Sequence, residues 1–207
     1  MNRMMQGTIA IDRWDSSDKM PQSLSDTDLM RQIASGQQEG LQELVRRYQQ
    51  PVCRFLMRYL DSSDDAEQAT LNVFIRVWEY APRFQYRAKV STWLFRIAVN
   101  IARDMHEHRQ RRPQLVSYPA EDRLSSPMVG NAEDEVMRRM ESDERFATIQ
   151  NALKQLHETD RLLLILYYFE EATYEEMHEI TGLSYTVLKT RLSRARQRLR
   201  TLLEPML

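Results

Sequence analysis

Helix breakers are scarce in this chain, and they are densest in one stretch. Glycine occurs five times and proline seven times in 207 residues. A chain of antiparallel strands needs turn residues about every 8–12 positions. The scarcity therefore argues against an all-β fold and favours helices on short connections. Residues 24–110 carry apolar side chains at spacings of three and four with almost no interruption, the pattern of several packed helices. Arg111 to Asn131 then holds Pro113, Pro119, Pro127 and Gly130 among serines, with little periodicity. From 132 to 204 the helical spacing returns. The expected fold class is all-α: two small helical domains, at 24–110 and 137–204, joined by a flexible linker at 111–136 and preceded by a loose tail at 1–23.

Local signals place the elements. Ser25 or Asp26 caps a helix that ends at Gly36, and a second runs from about Gln38 to Leu60. Pro51 should kink or split that second helix. The cluster Asp61 to Asp65 offers an N-cap and dipole-compatible acids to a third, reaching about Tyr80. Thr92 to about Gln110 makes a fourth. In the second module Asp160 or Thr159 caps an apolar helix from Arg161 to Phe169. Tyr174 to Thr181 forms another, stopped by Gly182, and Ser184 opens a last helix to about Leu203. A short helix, a glycine turn and a basic helix is the helix-turn-helix order.

Net charge is only −1, so the distribution of charge carries the information. Arg103, Arg109, Arg111 and Arg112 cluster with His106 and His108. Lys189, Arg191, Arg194, Arg196, Arg198 and Arg200 form a second cluster, and Ser184 to Leu203 contains no acid. Projected at 100° per residue, Leu188, Leu192, Ala195, Leu199, Leu202 and Leu203 share one arc of about 100°, a core-facing stripe. Opposite lie Thr186, Thr190, Ser193, Arg194 and Gln197, with Lys189 on the flank. These groups can hydrogen-bond base edges or phosphates in a major groove about as wide as a helix.

Other classes are weakened or excluded. The single cysteine, Cys53, rules out an internal disulfide and a cysteine-based zinc site, and points to the cytosol. No apolar run approaches the roughly 18 residues of a membrane span. Asp12, Asp15 and Asp18 interrupt any signal-peptide pattern. Glu175-x-x-His178 has the spacing of one half of a di-iron site, but the chain has no second Glu-x-x-His. Neither catalysis, a cofactor nor a metal is expected.

Several segments together resemble the bacterial extracytoplasmic-function sigma factors, the smallest RNA polymerase sigma factors. They are Glu43 to Tyr48, Asp65-Ala66-Glu67, Val73 to Trp78, Ser91 to Asn100, Tyr174 to Met177, and Lys189 to Arg196. The resemblance implies that the first module binds core RNA polymerase and melts the promoter −10 element, while the second reads the −35 element. It assigns −10 contacts to Phe84, Arg87, Lys89, Ser91, Trp93, Arg96, Asn100 and Arg103. The −35 contacts fall on Thr186, Lys189, Thr190, Ser193, Arg194 and Gln197. Polymerase binding falls on Asp65, Glu67, Gln68, Leu71 and Asn72.

That last segment departs from the family pattern Asp-Ala-Glu-Asp-Leu-Val-Gln-Glu. Amides stand at Gln68 and Asn72 where carboxylates are usual, and Leu71 replaces glutamine. A weakened acidic surface would bind core polymerase weakly. Phosphorylation of Thr70 would add about −1.5 to −2 charge there. A serine/threonine kinase and an anti-sigma protein are therefore candidate partners beside polymerase and promoter DNA, with no membrane. The alternative is a helix-turn-helix regulator, or a sigma-like protein that does not engage polymerase.

Overall fold

The computed structural model describes residues 24–111 and 147–206, and every regular element among them is helical. Helix α1 (Asp26–Ala34) is capped by Ser25, whose side chain accepts from the Asp28 amide. Gly36, at φ 81°, makes the left-handed turn into α2 (Gln38–Tyr59). Asp26 anchors α1 on α2: it accepts from Arg47 Nη1 at 2.8 Å and from the Tyr48 hydroxyl. Burial and the Asp26 carboxylate hold that phenol above its usual range.

Pro51 lies inside α2 without splitting it. Proline removes the bond to the carbonyl four residues earlier; that residue, Arg47, and Pro51 itself are only half-buried, so water can reach the freed carbonyl. Helix α3 (Ser63–Tyr80) is capped by Ser62. A single 3-10 turn, Ala81–Arg83, leads to α4 (Val90–Arg111). The last begins two residues before the expected Thr92, because buried Val90 seats its first turn in the core.

The second module contains a helix α5 at residues 147–154, α6 (Glu158–Tyr168), α7 (Tyr174–Thr181) and α8 (Tyr185–Leu203). The cap of α6 is His157, whose Nδ1 accepts from the Thr159 amide at 3.3 Å, and not Asp160 or Thr159. Asp160 instead sits within the first turn and points at α8. A reciprocal capping box between Thr173 and Glu176 starts α7. Gly182, at φ 74°, ends it in the left-handed conformation that a Cβ would disfavour.

Phe55, Leu56, Val73, Val77, Leu94 and Ala98 fill the first module; Leu162 to Leu166, Met177, Leu188, Leu192 and Ala195 fill the second. Each fully buried Leu or Phe contributes about 1.5–3 kcal/mol relative to exposure. These side chains form one continuous cluster across both modules. Helix α4 packs against α7, and α2 against α6. The linker expected at 111–136 lies almost wholly outside the described residues. The modules on either side of it are pressed together.

Candidate nucleic-acid interface

Helix α8 is built as its sequence projection requires. Leu188, Leu192 and Ala195 are buried, while Thr186, Lys189, Thr190, Ser193, Arg194 and Gln197 are all exposed. The Thr190 hydroxyl donates to the Thr186 carbonyl at 2.9 Å, leaving its lone pairs outward. Tyr185 and Val187, which the projection did not single out, are also exposed in the first turn. On one flank Arg196 lies over the rings of Tyr167 and Tyr168, at 4.7 and 5.7 Å. On the other, Arg191, Arg194, Gln197 and Arg198 line a groove of about 470 Å3 with His157 and Asp160, beside the start of α6.

The residues assigned to the −10 element scatter more. Phe84 is 7% exposed and belongs to the core, with Trp93 and Tyr86 each 5.1 Å from its ring. The aromatic that faces solvent in this loop is Tyr86, 49% exposed, with the Arg31 guanidinium 5.4 Å from its ring centroid. Trp93 and Asn100 line a groove of about 380 Å3 with Arg76, Tyr80 and Arg83 from the neighbouring α3 end. Sequence reasoning missed those three, although 76, 80 and 83 recur at helical spacing. Arg96 and Arg87 are exposed and Ser91 half-buried. Arg103 turns toward Tyr59 rather than into this groove, and its charge acts on that phenol.

The third surface is the outer face of α3. Glu67 and Gln68 are exposed there, Asp65 and Asn72 half-buried. Leu71 is 64% exposed and stands in line with exposed Ile75 and Trp78, one helical turn apart. The face is thus an apolar ridge bordered by carboxylates. Thr70 is 5% exposed, and its hydroxyl donates to the Ala66 carbonyl at 2.7 Å. A kinase would have to find α3 locally open.

Among the described residues, polar contacts join the modules. Tyr59 donates to Glu158 at 2.5 Å, and Arg161 Nη1 donates to Asp61 at 3.0 Å. Arg58 lies 3.6 Å from Glu170 and over the Phe169 ring. Lys89 Nζ donates to Glu176 of α7 at 2.8 Å. Burial raises Glu170 above its usual value, against the pull of Arg58 and Arg54. Glu176 is lowered by the Lys89 hydrogen bond first. As for Glu175 and His178, the His178 Nδ1 is engaged with the Leu183 carbonyl at 2.7 Å, and no group of three or more metal-ligating side chains gathers among the described residues. No helix among the described residues is long and apolar enough to cross a membrane.

Residues 44–112 match the family described as Sigma-70 region 2, and residues 146–199 match Sigma-70, region 4. The chain is 28% identical over 189 residues to the RNA polymerase sigma-H factor of Pseudomonas aeruginosa, covering 88% of this chain and 95% of that one. It is 27% identical over 194 residues to the ECF RNA polymerase sigma-E factor of Haemophilus influenzae, covering 91% and 100%. Among solved structures, CnrH in complex with the cytosolic domain of CnrY superposes with a TM-score of 0.64 at 24% identity, covering 87% of this chain and 97% of that one, which supports the fold. The chain belongs to the sigma-70 family as an extracytoplasmic-function sigma factor, a protein that directs promoter-specific transcription initiation.

Proposed function

We propose that the chain divides this work among three surfaces: α3 docks on core RNA polymerase, the α3–α4 groove holds the opened −10 element, and α8 reads the −35 element. With amides at 68 and 72, docking on α3 falls chiefly to Leu71, Ile75 and Trp78, bordered by Asp65 and Glu67. Tyr86 and Trp93 supply stacking faces for unpaired bases, and Arg76 and Asn100 supply contacts beside them. Extruding a base costs a few kcal/mol of unstacking, which such contacts offset. The exposed hydroxyl, amide and guanidinium groups of α8 suit base edges in the major groove.

The modules must part for both promoter elements to be bound at once. The elements stand about 25 base pairs apart, about 85 Å at 3.4 Å per base pair. In the structure, Lys89 beside the −10 surface touches Glu176 of the helix-turn-helix. The 35 residues at 112–146 could span at most about 115–125 Å when extended, which covers the separation.

The observation that carries the reading is the uncovered ridge of Leu71, Ile75 and Trp78 next to the Trp93 groove. A helix-turn-helix regulator acting alone needs neither. The test is run-off transcription with core polymerase on the promoter upstream of the protein's own gene, alongside core pull-down. A specific transcript that is lost with Leu71→Glu supports the assignment. Duplex binding without core capture or transcript would instead make the protein a regulator. The site of action would be the cytoplasm, where polymerase and promoter meet. CnrH was solved with the cytosolic domain of CnrY, and RpoE of Bartonella quintana with the anti-sigma factor NepR. By that analogy an anti-sigma protein is a better supported regulator of this chain than a kinase at Thr70.

A further inference from the structure

Asp160 is 7% exposed, in the first turn of α6, where a carboxylate suits the helix dipole. Its side chain nevertheless serves α8. One oxygen lies 3.0 Å from Arg191 Nη1 and the other 3.9 Å from Arg198 Nη1. Positions 191, 194 and 198 recur at helical spacing and line the same groove. Arg191 is hydrogen-bonded to Asp160, whereas Arg198 only approaches it and is 68% exposed; Arg194, between them, has no ion-pair partner among the described residues and is exposed. The second flank of α8 is partly occupied too, with Arg196 over two tyrosine rings and Arg200 paired to Glu204 at 3.1 Å.

A duplex seated on the polar face of α8 brings phosphates along both flanks. Free guanidiniums there attract any DNA, whatever its sequence, because phosphate neutralisation releases counterions without reading bases. A fixed carboxylate between Arg191 and Arg198 reduces that attraction on the flank nearest Arg194. We propose that Asp160 is a specificity-determining residue of the −35 reader: it withholds Arg191, and more weakly Arg198, from phosphates, so that Arg194 is the guanidinium of that flank left for the promoter. The inference rests on α8 being the DNA-reading helix.

The test uses the full chain and two duplexes, the promoter upstream of its own gene and a scrambled copy, with affinities measured from 50 to 300 mM salt. Asp160→Asn keeps the shape and removes the charge. It is expected to bind the scrambled duplex about tenfold more tightly at low salt, with the slope of log K against log salt steeper by about 1–2, since each phosphate contact adds about 0.9. The preference for the promoter should shrink, and adding Arg191→Gln should return the slope toward wild type. Loss on both duplexes in equal proportion at unchanged slope would show Asp160 to be a structural stitch between α6 and α8, and would overturn the proposal. A second pair keeps the test open if Asp160→Asn does not fold. Arg191→Gln alone should leave the slope nearly unchanged, whereas Arg194→Gln should flatten it by about 1; equal flattening by both overturns the proposal. Wild type that binds neither duplex in a salt-dependent way would fail the DNA reading itself, a result distinct from binding that ignores the charge at 160.

Discussion

Helices α4 and α8 are the two long basic helices on which the DNA assignments concentrate, 22 and 19 residues long. Their surroundings differ. The polar face of α8 is open along its length, and its arginines are partnered only at the flanks. Helix α4 is shared: one side forms the Trp93 groove, another packs on α7, and Arg103 faces the Tyr59–Glu158 contact. On the proposed assignment the open helix is free to meet duplex DNA, while the shared one is packed against the protein's own second module. An ionisable side chain near an expected site can serve the closed protein as readily as it serves DNA.

The largest expected effect tests whether the two modules are one cooperative body. Phe55 is fully buried, with its ring 5.2 Å from that of Phe95 in α4. Phe55→Ala should cost about 3–5 kcal/mol. Thermal unfolding followed by a probe in each module should shift in a single transition; if the α8 probe keeps the wild-type midpoint, the modules are independent and the shared character of α4 is lost.

Next comes an asymmetry at the latch. Arg161 is 6% exposed, while the Asp61 side chain is 55% exposed. Asp61→Ala leaves a buried guanidinium without its carboxylate and should cost the closed arrangement about 1–3 kcal/mol. Opening measured by an intermodule fluorescence pair should increase. No change would show that the Asp61–Arg161 pair contributes nothing to closure.

Lys89→Ala removes the contact between the loop before α4 and α7. That pair is exposed on the lysine side and screened by solvent, so closure should weaken less than with Asp61→Ala. An effect as large as that of Asp61→Ala would mean that the loop before α4 itself holds the modules together.

The smallest expected effect is a pH dependence. Burial raises Glu170 in the closed form, so closing favours its protonated state. The cost of burying its charge is present at neutral pH and relieved as pH falls toward 4.5 and below. Closure should tighten over that interval, and Glu170→Gln should flatten the response. Glu176 works in the opposite sense. Its lowered value means that the Lys89 contact persists above the ordinary carboxylate range and is lost only as pH falls below it.

Much of this architecture was legible in the sequence because it is local. The stripe of Leu188, Leu192 and Ala195 and the stop at Gly182 need only neighbours within two turns. The His157 cap was not legible, since Asp160 is the stronger capping residue by type and its side chain is drawn away by Arg191. Nor was the latch: Tyr59 meets Glu158, and Asp61 meets Arg161, across about 100 positions. An apolar stripe shows that a helix buries a face without showing against what. Ile75 and Trp78 were read as part of a motif; projecting them with Leu71 would have shown one apolar line on a face whose opposite side, Val73 and Val77, fills the core.

The central claim is that the free protein holds α4 against α7 and opens to bind a promoter with polymerase. Spin labels on exposed positions outside the proposed contacts, Glu39→Cys in α2 and Glu179→Cys in α7 with Cys53→Ser, would report the separation of the modules directly. The expected result is a narrow, short distance distribution in the free protein that lengthens by several tens of ångströms on adding core polymerase and promoter DNA, as elements about 85 Å apart demand. A broad, long distribution in the free protein, or a short one unchanged in the transcribing complex, would contradict it.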